Sequence, residues 1–296
     1  MSRFNTLLLR EWMQHHRGWL ALMLIPPLLF LAIVPFSSVE IGAGELGPVP
    51  ALSLMLVTMA AVPGIVLGIT VVALLFQTPG LARRDQQDRS IEFWLSLPVS
   101  HSAGIAAPVL AHLVLVPLLA LVVGAAFSYL VGGALIWKAF GAAEAFGLPW
   151  ATLAGVGLSG LVRGLLGVLL AAFWLMPLLL ATMAASAWLK RWGTPVLALA
   201  MVIGHKLLAT LYGITAVGDT VTGLVTNARR AMVHGNAPSP RGGVEMAQAW
   251  LADAPRWFFD DGLTALRDLG QPLFLFALAA SAACFALLVL RRSRNG

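Results

Sequence analysis

Residues 51–77 read ALSLMLVTMAAVPGIVLGITVVALLFQ, and no residue among them is charged. A helix crossing about 30 Å of hydrocarbon needs roughly 20 apolar residues, and this run exceeds that. It is apolar all round rather than along one stripe, which suits lipid better than a single wet face. Five further stretches of the same kind, 18–36, 103–135, 164–188, 195–217 and 271–290, give an expected six spans. Pro26, Pro27, Pro63, Pro108, Pro117 and Pro177 interrupt them. Such breaks are tolerated where neighbouring helices satisfy the freed carbonyls. The third stretch is longer than one crossing needs, so tilt or a kink at Pro117 is expected. Residues 151–163 form a Gly-rich lead-in to the fourth and leave open a separate short outer helix.

Composition supports that reading. Of the 296 residues 59% are hydrophobic and only 11% charged, whereas a soluble domain carries roughly a quarter charged residues. The net charge of +6 could suggest nucleic acid, but the cations sit beside apolar segments, where they orient a chain against a membrane. No nucleic-acid partner is expected. The one cysteine, Cys284, lies in the last apolar stretch and can form no internal disulfide. The arginines at 3, 10 and 17 precede a full-length span with no small-residue cleavage site after a short apolar core, so no cleaved signal is expected.

Placing the N-terminus in the cytoplasm puts Arg3, Arg10, Arg17, Arg83, Arg84, Arg89, Lys190, Arg191, Arg291, Arg292 and Arg294 inside. The two short outer loops then hold only Lys138. That asymmetry follows the positive-inside rule, and both termini are expected inside. Residues 3–17 read as an amphipathic interfacial helix, with Arg3, Thr6, Arg10, Gln14 and Arg17 on one face and Phe4, Leu8 and Trp12 on another. The segment 218–270 reads as short outer helices: a helix over 219–233, a turn-rich linker over 235–243, then aromatics mixed with acids (Trp250, Trp257, Phe258, Phe259; Asp253, Asp260, Asp261, Asp268). The expected fold is all-α, one transmembrane domain over residues 1–296.

One compact polar patch follows the second span. Thr78-Pro79 can open a short helix, and Pro98 ends it. Within 79–97, Ile91, Trp94 and Leu95 fall at i, i+3 and i+4, a stripe that a groove on another protein could accept. Arg84, Asp85, Asp88, Arg89 and Glu92 flank it and would set register through charge, with Phe93 beside Trp94. The competing reading lays Phe93, Trp94 and Leu95 on the bilayer interface.

The run Asp88-Arg89-Ser90-Ile91-Glu92-Phe93-Trp94-Leu95-Ser96-Leu97-Pro98-Val99-Ser100 resembles the segment after the second span in bacterial permeases of the ATP-binding-cassette exporter superfamily, second type. Those permeases carry Asp-Arg-Ser, an aromatic-Trp pair and Ser-Leu-Pro-Val-Ser in that order. The amphipathic N-terminus, six spans and long outer segment before the last span are similar too. The resemblance implies that Arg84 to Leu97 form a coupling helix seated on a separate cytoplasmic ATPase. It further implies that ATP and Mg bind that partner and not this chain, that a second permease chain (identical or a sibling) completes the path, and that the assembly sits in a bacterial inner membrane.

Chemistry of the chain's own is not expected. There is no Gly-x4-Gly-Lys-Ser/Thr phosphate loop, and Gly-Leu-Ser-Gly at 157–160 lacks the spacing of a nucleophile elbow. His15, His16, His101, His112, His205 and His234 are scattered without metal-ligand spacing. Inside the apolar stretches, His205, Lys206 and Arg163 are candidate lining of a path for an anionic headgroup or carboxylate. A second reading has Lys206 and Arg163 snorkelling to the outer interface. Rivals to an exporter are a gradient-driven transporter, which would want intramembrane carboxylates or paired half-helices, and a non-transporting scaffold or sensor.

Overall fold

The computed structural model describes residues 3–37, 51–83, 100–235 and 244–294. Among them every regular element is helical, and five apolar stretches are long enough to cross a membrane: Phe4–Phe36, Ala51–Leu81, His101–Phe140, Trp150–Tyr212 and Pro272–Arg294. Large apolar side chains stand exposed along them, including Ile25, Leu29, Ile65, Phe76, Leu199, Val202 and Leu275. That much exposed apolar surface suits lipid, and the architecture is that of a multi-pass membrane protein.

The first helix, α1 (Arg3–Ile33), runs without a break through residue 17 and past Pro26 and Pro27. The expected interfacial helix is therefore the first half of one helix about 46 Å long. Its packed stripe is Leu7, Glu11, Trp19 and Met23, spaced by four or eight residues, so that the stripe winds gradually round the helix. The Trp12 and Met13 side chains are left exposed.

Helix α2 (Ala51–Leu81) outlasts the expected span. Thr78 opens no new helix; its buried hydroxyl donates back to the Leu74 carbonyl at 2.7 Å, as Thr70 does to Val66 at 2.8 Å. Back-bonding of this kind satisfies a hydroxyl where no water is available. The docking segment, residues 84–97, lies outside the described residues.

Helix α3 (His101–Leu110) starts on Ser100, whose Oγ accepts from the Ala103 N–H. A π turn (Ala111–Leu115) then leads into α4 (Val116–Phe140). The irregularity expected at Pro117 takes this form: the ring cannot supply the N–H that a regular ladder needs, and a wider turn precedes it. The short α5 (Ala142–Gly147) follows.

Helix α6 (Trp150–Leu189) takes in 151–163, so no separate outer helix exists there. Beyond it a 3-10 turn (Lys190–Trp192) opens with Lys190 at φ 55° and reverses the chain into α7 (Gly193–Tyr212). At the reversal Gly193 packs on the Ala185–Ser186 backbone, where a Cβ would not fit.

Between α7 and the last helix come α8 (Ala216–Met232) and α9 (Val244–Arg267), longer than the short pieces expected. The final helix is α10 (Pro272–Arg294). Helix α8 does not lie apart from the spans. Leu224, Ala228 and Ala231 bury against Leu170 and Trp174 of α6 and Ala277 of α10. Asn227, buried on the same face, donates to Gln271 Oε1 at 3.4 Å.

Helix α6 supplies residues to three of the four buried clusters: Leu153 and Val156 with α2 and α9, Leu180 and Met183 with α3 and α10, Leu170 and Trp174 with α8. The fourth joins α1, α2 and the α3–α4 unit through Trp19, Met23, Val66, Ala111 and Ala120. Helices α2 and α4 approach closely at Gly124, where a Cβ would stand 2.6 Å from Pro63 Cα. Small residues at such crossings let backbones meet without lipid between them. Gly124→Leu should therefore cost about 1–3 kcal/mol of stability by overpacking. Gly155→Leu, which meets open space, should be close to neutral. Thermal unfolding of the two variants in the same detergent checks the contrast.

Candidate functional site

Helices α2, α4, α6 and α8 do not close completely on one another. Two neighbouring chambers lie between them, about 480 Å³ and 360 Å³ in volume, both bordered by Gly64, Leu67 and Met232. Along α2 their lining extends from Leu56 to Thr78. At 1.5 Å per residue that is about 33 Å of helix, close to the thickness of a bilayer's hydrocarbon core.

The larger chamber is walled by Leu74, Leu75, Leu113, Val168 and Leu175, with Thr78, His112 and Arg229 as polar exceptions. Two glycines, Gly64 and Gly68, face it across open space, so side chains added there would enter the void. Arg229 comes from the exposed side of α8. It lies outside the apolar stretches, in a segment expected at the outer surface, and no motif marks it. Its neighbours at 224, 227, 228 and 231 form a buried stripe, and that periodicity could have shown α8 to be packed.

The smaller chamber is lined by Met59, Tyr129, Trp250, Trp257 and Phe258, and its wall includes Arg163 and Asp261. Arg163 is buried, and all three nitrogens of its guanidinium donate hydrogen bonds. Nε and Nη2 donate to Asp261 Oδ2 at 2.9 and 2.6 Å, and Nη1 donates to the Ala231 carbonyl at 2.8 Å. Asp261 Oδ1 accepts the Gly235 N–H at 2.9 Å and the His234 N–H at 3.1 Å. One ion pair thus binds α6, the end of α8, the turn after it and α9. Gly167 allows this approach, since a Cβ there would meet the Ala231 oxygen at 2.9 Å.

The sequence-derived lining residues separate in space. Arg163 reaches the smaller chamber's wall. His205 sits on α7 with its ring over Gly218 of α8, Lys206 is exposed on α7, and neither lines the two chambers. The docking residues Arg84, Asp85, Asp88, Arg89, Ile91, Glu92, Phe93, Trp94 and Leu95 lie outside the described residues.

The chambers can hold an apolar body, with a cationic group at Arg229 for an anionic end. They offer no arrangement of nucleophile, base and oxyanion donors among the described residues. As for the clamp, Asp261→Ala strands a buried guanidinium and two backbone N–H groups, which should cost about 3–5 kcal/mol. Replacing both partners (Arg163→Met with Asp261→Leu) should recover part of that loss, because no charge remains unpaired while the backbone donors still lack an acceptor. Unfolding in detergent of the single and double variants measures it. Comparison with protein-family models, with curated proteins and with solved structures finds no match to this chain.

Proposed function

We propose that this chain is the transmembrane subunit of an ATP-driven exporter, with the two chambers receiving a hydrophobic or amphipathic substrate. The observation that carries the reading is the course of α2. It lines the cleft from Leu56 to Thr78 and ends at Leu81, just ahead of the Arg84–Leu97 segment whose sequence resembles a coupling helix. A stiff helix joining a cleft wall to a docking segment is what a coupled transporter needs. Movement of the docked partner becomes movement of the wall, a rigid-body transition rather than a local one.

On this reading α6 and α7 are the fourth and fifth crossings, the hairpin at Lys190–Trp192 turns in the cytoplasm, and six spans leave both termini inside a bacterial inner membrane. ATP and Mg bind the separate ATPase, and this chain catalyses nothing itself. A second permease chain completes the assembly. The larger chamber takes the apolar body of the substrate, and Arg229 attracts an anionic end. The scaffold reading gives no use to a cleft as long as a bilayer is thick.

Two variants test the proposal. Gly68→Phe fills open space, so it should leave folding and ATPase co-purification intact while lowering ATP-dependent export several-fold in proteoliposomes. Trp94→Ala with Asp88→Arg, in the segment that follows α2, should weaken ATPase co-purification and its stimulation and so uncouple export. Export that survives ATP depletion but collapses with the ion gradient would replace this reading with the gradient-driven one.

A further inference from the structure

Glu11, His15 and His112 each bring one ligand atom to a single place, all within 4.8 Å of one another. Glu11 and His15 are one turn apart on α1, and His112 comes from the π turn between α3 and α4. We propose that these three side chains form a binding site for a divalent transition-metal ion of the zinc class, tying α1 to the α3–α4 unit.

The donor set fits such an ion. Two imidazoles and a carboxylate are ligands that zinc and its first-row neighbours accept, and three protein ligands leave a fourth position for water or another donor. Around a tetrahedral ion with bonds of about 2.0–2.1 Å, donors stand about 3.4 Å apart. His15 is half-buried and can turn to close the remaining distance.

The surroundings hold the ligands as a metal site does. His112 is fully buried, and its Nδ1 lies 3.0 Å from the Pro108 carbonyl oxygen. A carbonyl only accepts, so Nδ1 carries the proton and Nε2 of the neutral ring keeps a lone pair for ligation. An N–H to backbone carbonyl bond of this kind is the usual outer support of a metal-bound histidine. The π turn places His112 here, and π turns concentrate at functional positions. Trp19, nearly fully buried, closes one side with its ring centroid 5.1 Å from that of His112 and 5.4 Å from that of His15.

Glu11 is fully buried too, with Arg10 Nη2 donating to its Oε1 at 2.7 Å. A carboxylate has two oxygens and about four lone-pair positions, so an arginine and a metal can share it. Arginine alone would account for the glutamate but not for two imidazoles converging on it.

The test uses the full chain in detergent, stripped with chelator and titrated with Co²⁺, reading the visible bands of tetrahedral cobalt and their loss on adding Zn²⁺. Wild type should bind stoichiometrically, and Zn²⁺ should raise its unfolding temperature. His15→Ala, at a half-exposed position that should fold, should weaken binding by more than the roughly 10–100-fold typical of losing an outer-shell partner. It should also abolish the thermal shift. His16→Ala is the control: that ring bonds the Trp12 and Met13 carbonyls, away from the cluster, and its loss should leave binding unchanged. Wild type binding no more tightly than His15→Ala would overturn the proposal and leave a hydrogen-bonded cluster. So would binding that depends on His16 and not on His15. Neither result bears on export.

Discussion

The Arg163–Asp261 pair is the contact on which the cleft depends. A guanidinium in an apolar bundle is costly unless its donors and its charge are both met. Here Asp261 meets the charge and accepts from Nε and Nη2, and the Ala231 carbonyl accepts from Nη1. Asp261 in turn takes two backbone N–H groups from the turn after α8. Satisfying this one group fixes three elements that are distant in sequence. With α8 held at its C-terminal end against α6, Arg229 and Met232 are held at the cleft, and Trp250, Trp257 and Phe258 of α9 form the wall of the smaller chamber. Without the clamp, Leu224, Ala228 and Ala231 would still pack α8 against α6 and α10, but the buried guanidinium and the backbone N–H groups after α8 would lose their acceptor.

The all-helical membrane architecture was legible because it rests on composition and run length, which need no tertiary information. The helix over 219–233 was legible from its local pattern. What the sequence left unread shares a cause: each feature is decided by a neighbour distant in the chain. Residues 3–17 look like a surface helix because Arg3, Arg10 and Arg17 recur on one face. The packed stripe instead runs through Glu11, whose neighbours come from the third apolar stretch. Arg163 stands in the smaller chamber's wall, but its partner Asp261 was not legible, because it lies far along the chain in a segment expected outside. Residues 151–163 looked like a separate piece because of their glycines. Gly157, Gly160 and Gly164 instead mark where α6 meets Tyr129, Phe258 and Leu121.

The histidines show the same limit from another side. Metal-ligand spacing is a local code, written when ligands share a helix or loop. Glu11 and His15 satisfy its i, i+4 form, but the third donor arrives on another helix through a π turn that no propensity rule anticipates.

Helix α2 links these observations. Its length is fixed by an uncharged run, its wall by glycines at 64 and 68, and its crossing of α4 by Pro63 against Gly124. Its buried hydroxyls at Thr70 and Thr78 bond back to its own carbonyls, so no neighbouring helix must supply an acceptor for them. At its end Leu81 packs against the buried cluster that Ile105 and Val109 of α3, Leu180 and Met183 of α6 and Leu288 of α10 form. Displacement at that end would press on α3, α6 and α10 together, while the open space beside Gly64 and Gly68 gives the helix room to move. A packed core transmits such a push because it is dense and resists compression. The empty volume beside α2 is where the push would change shape.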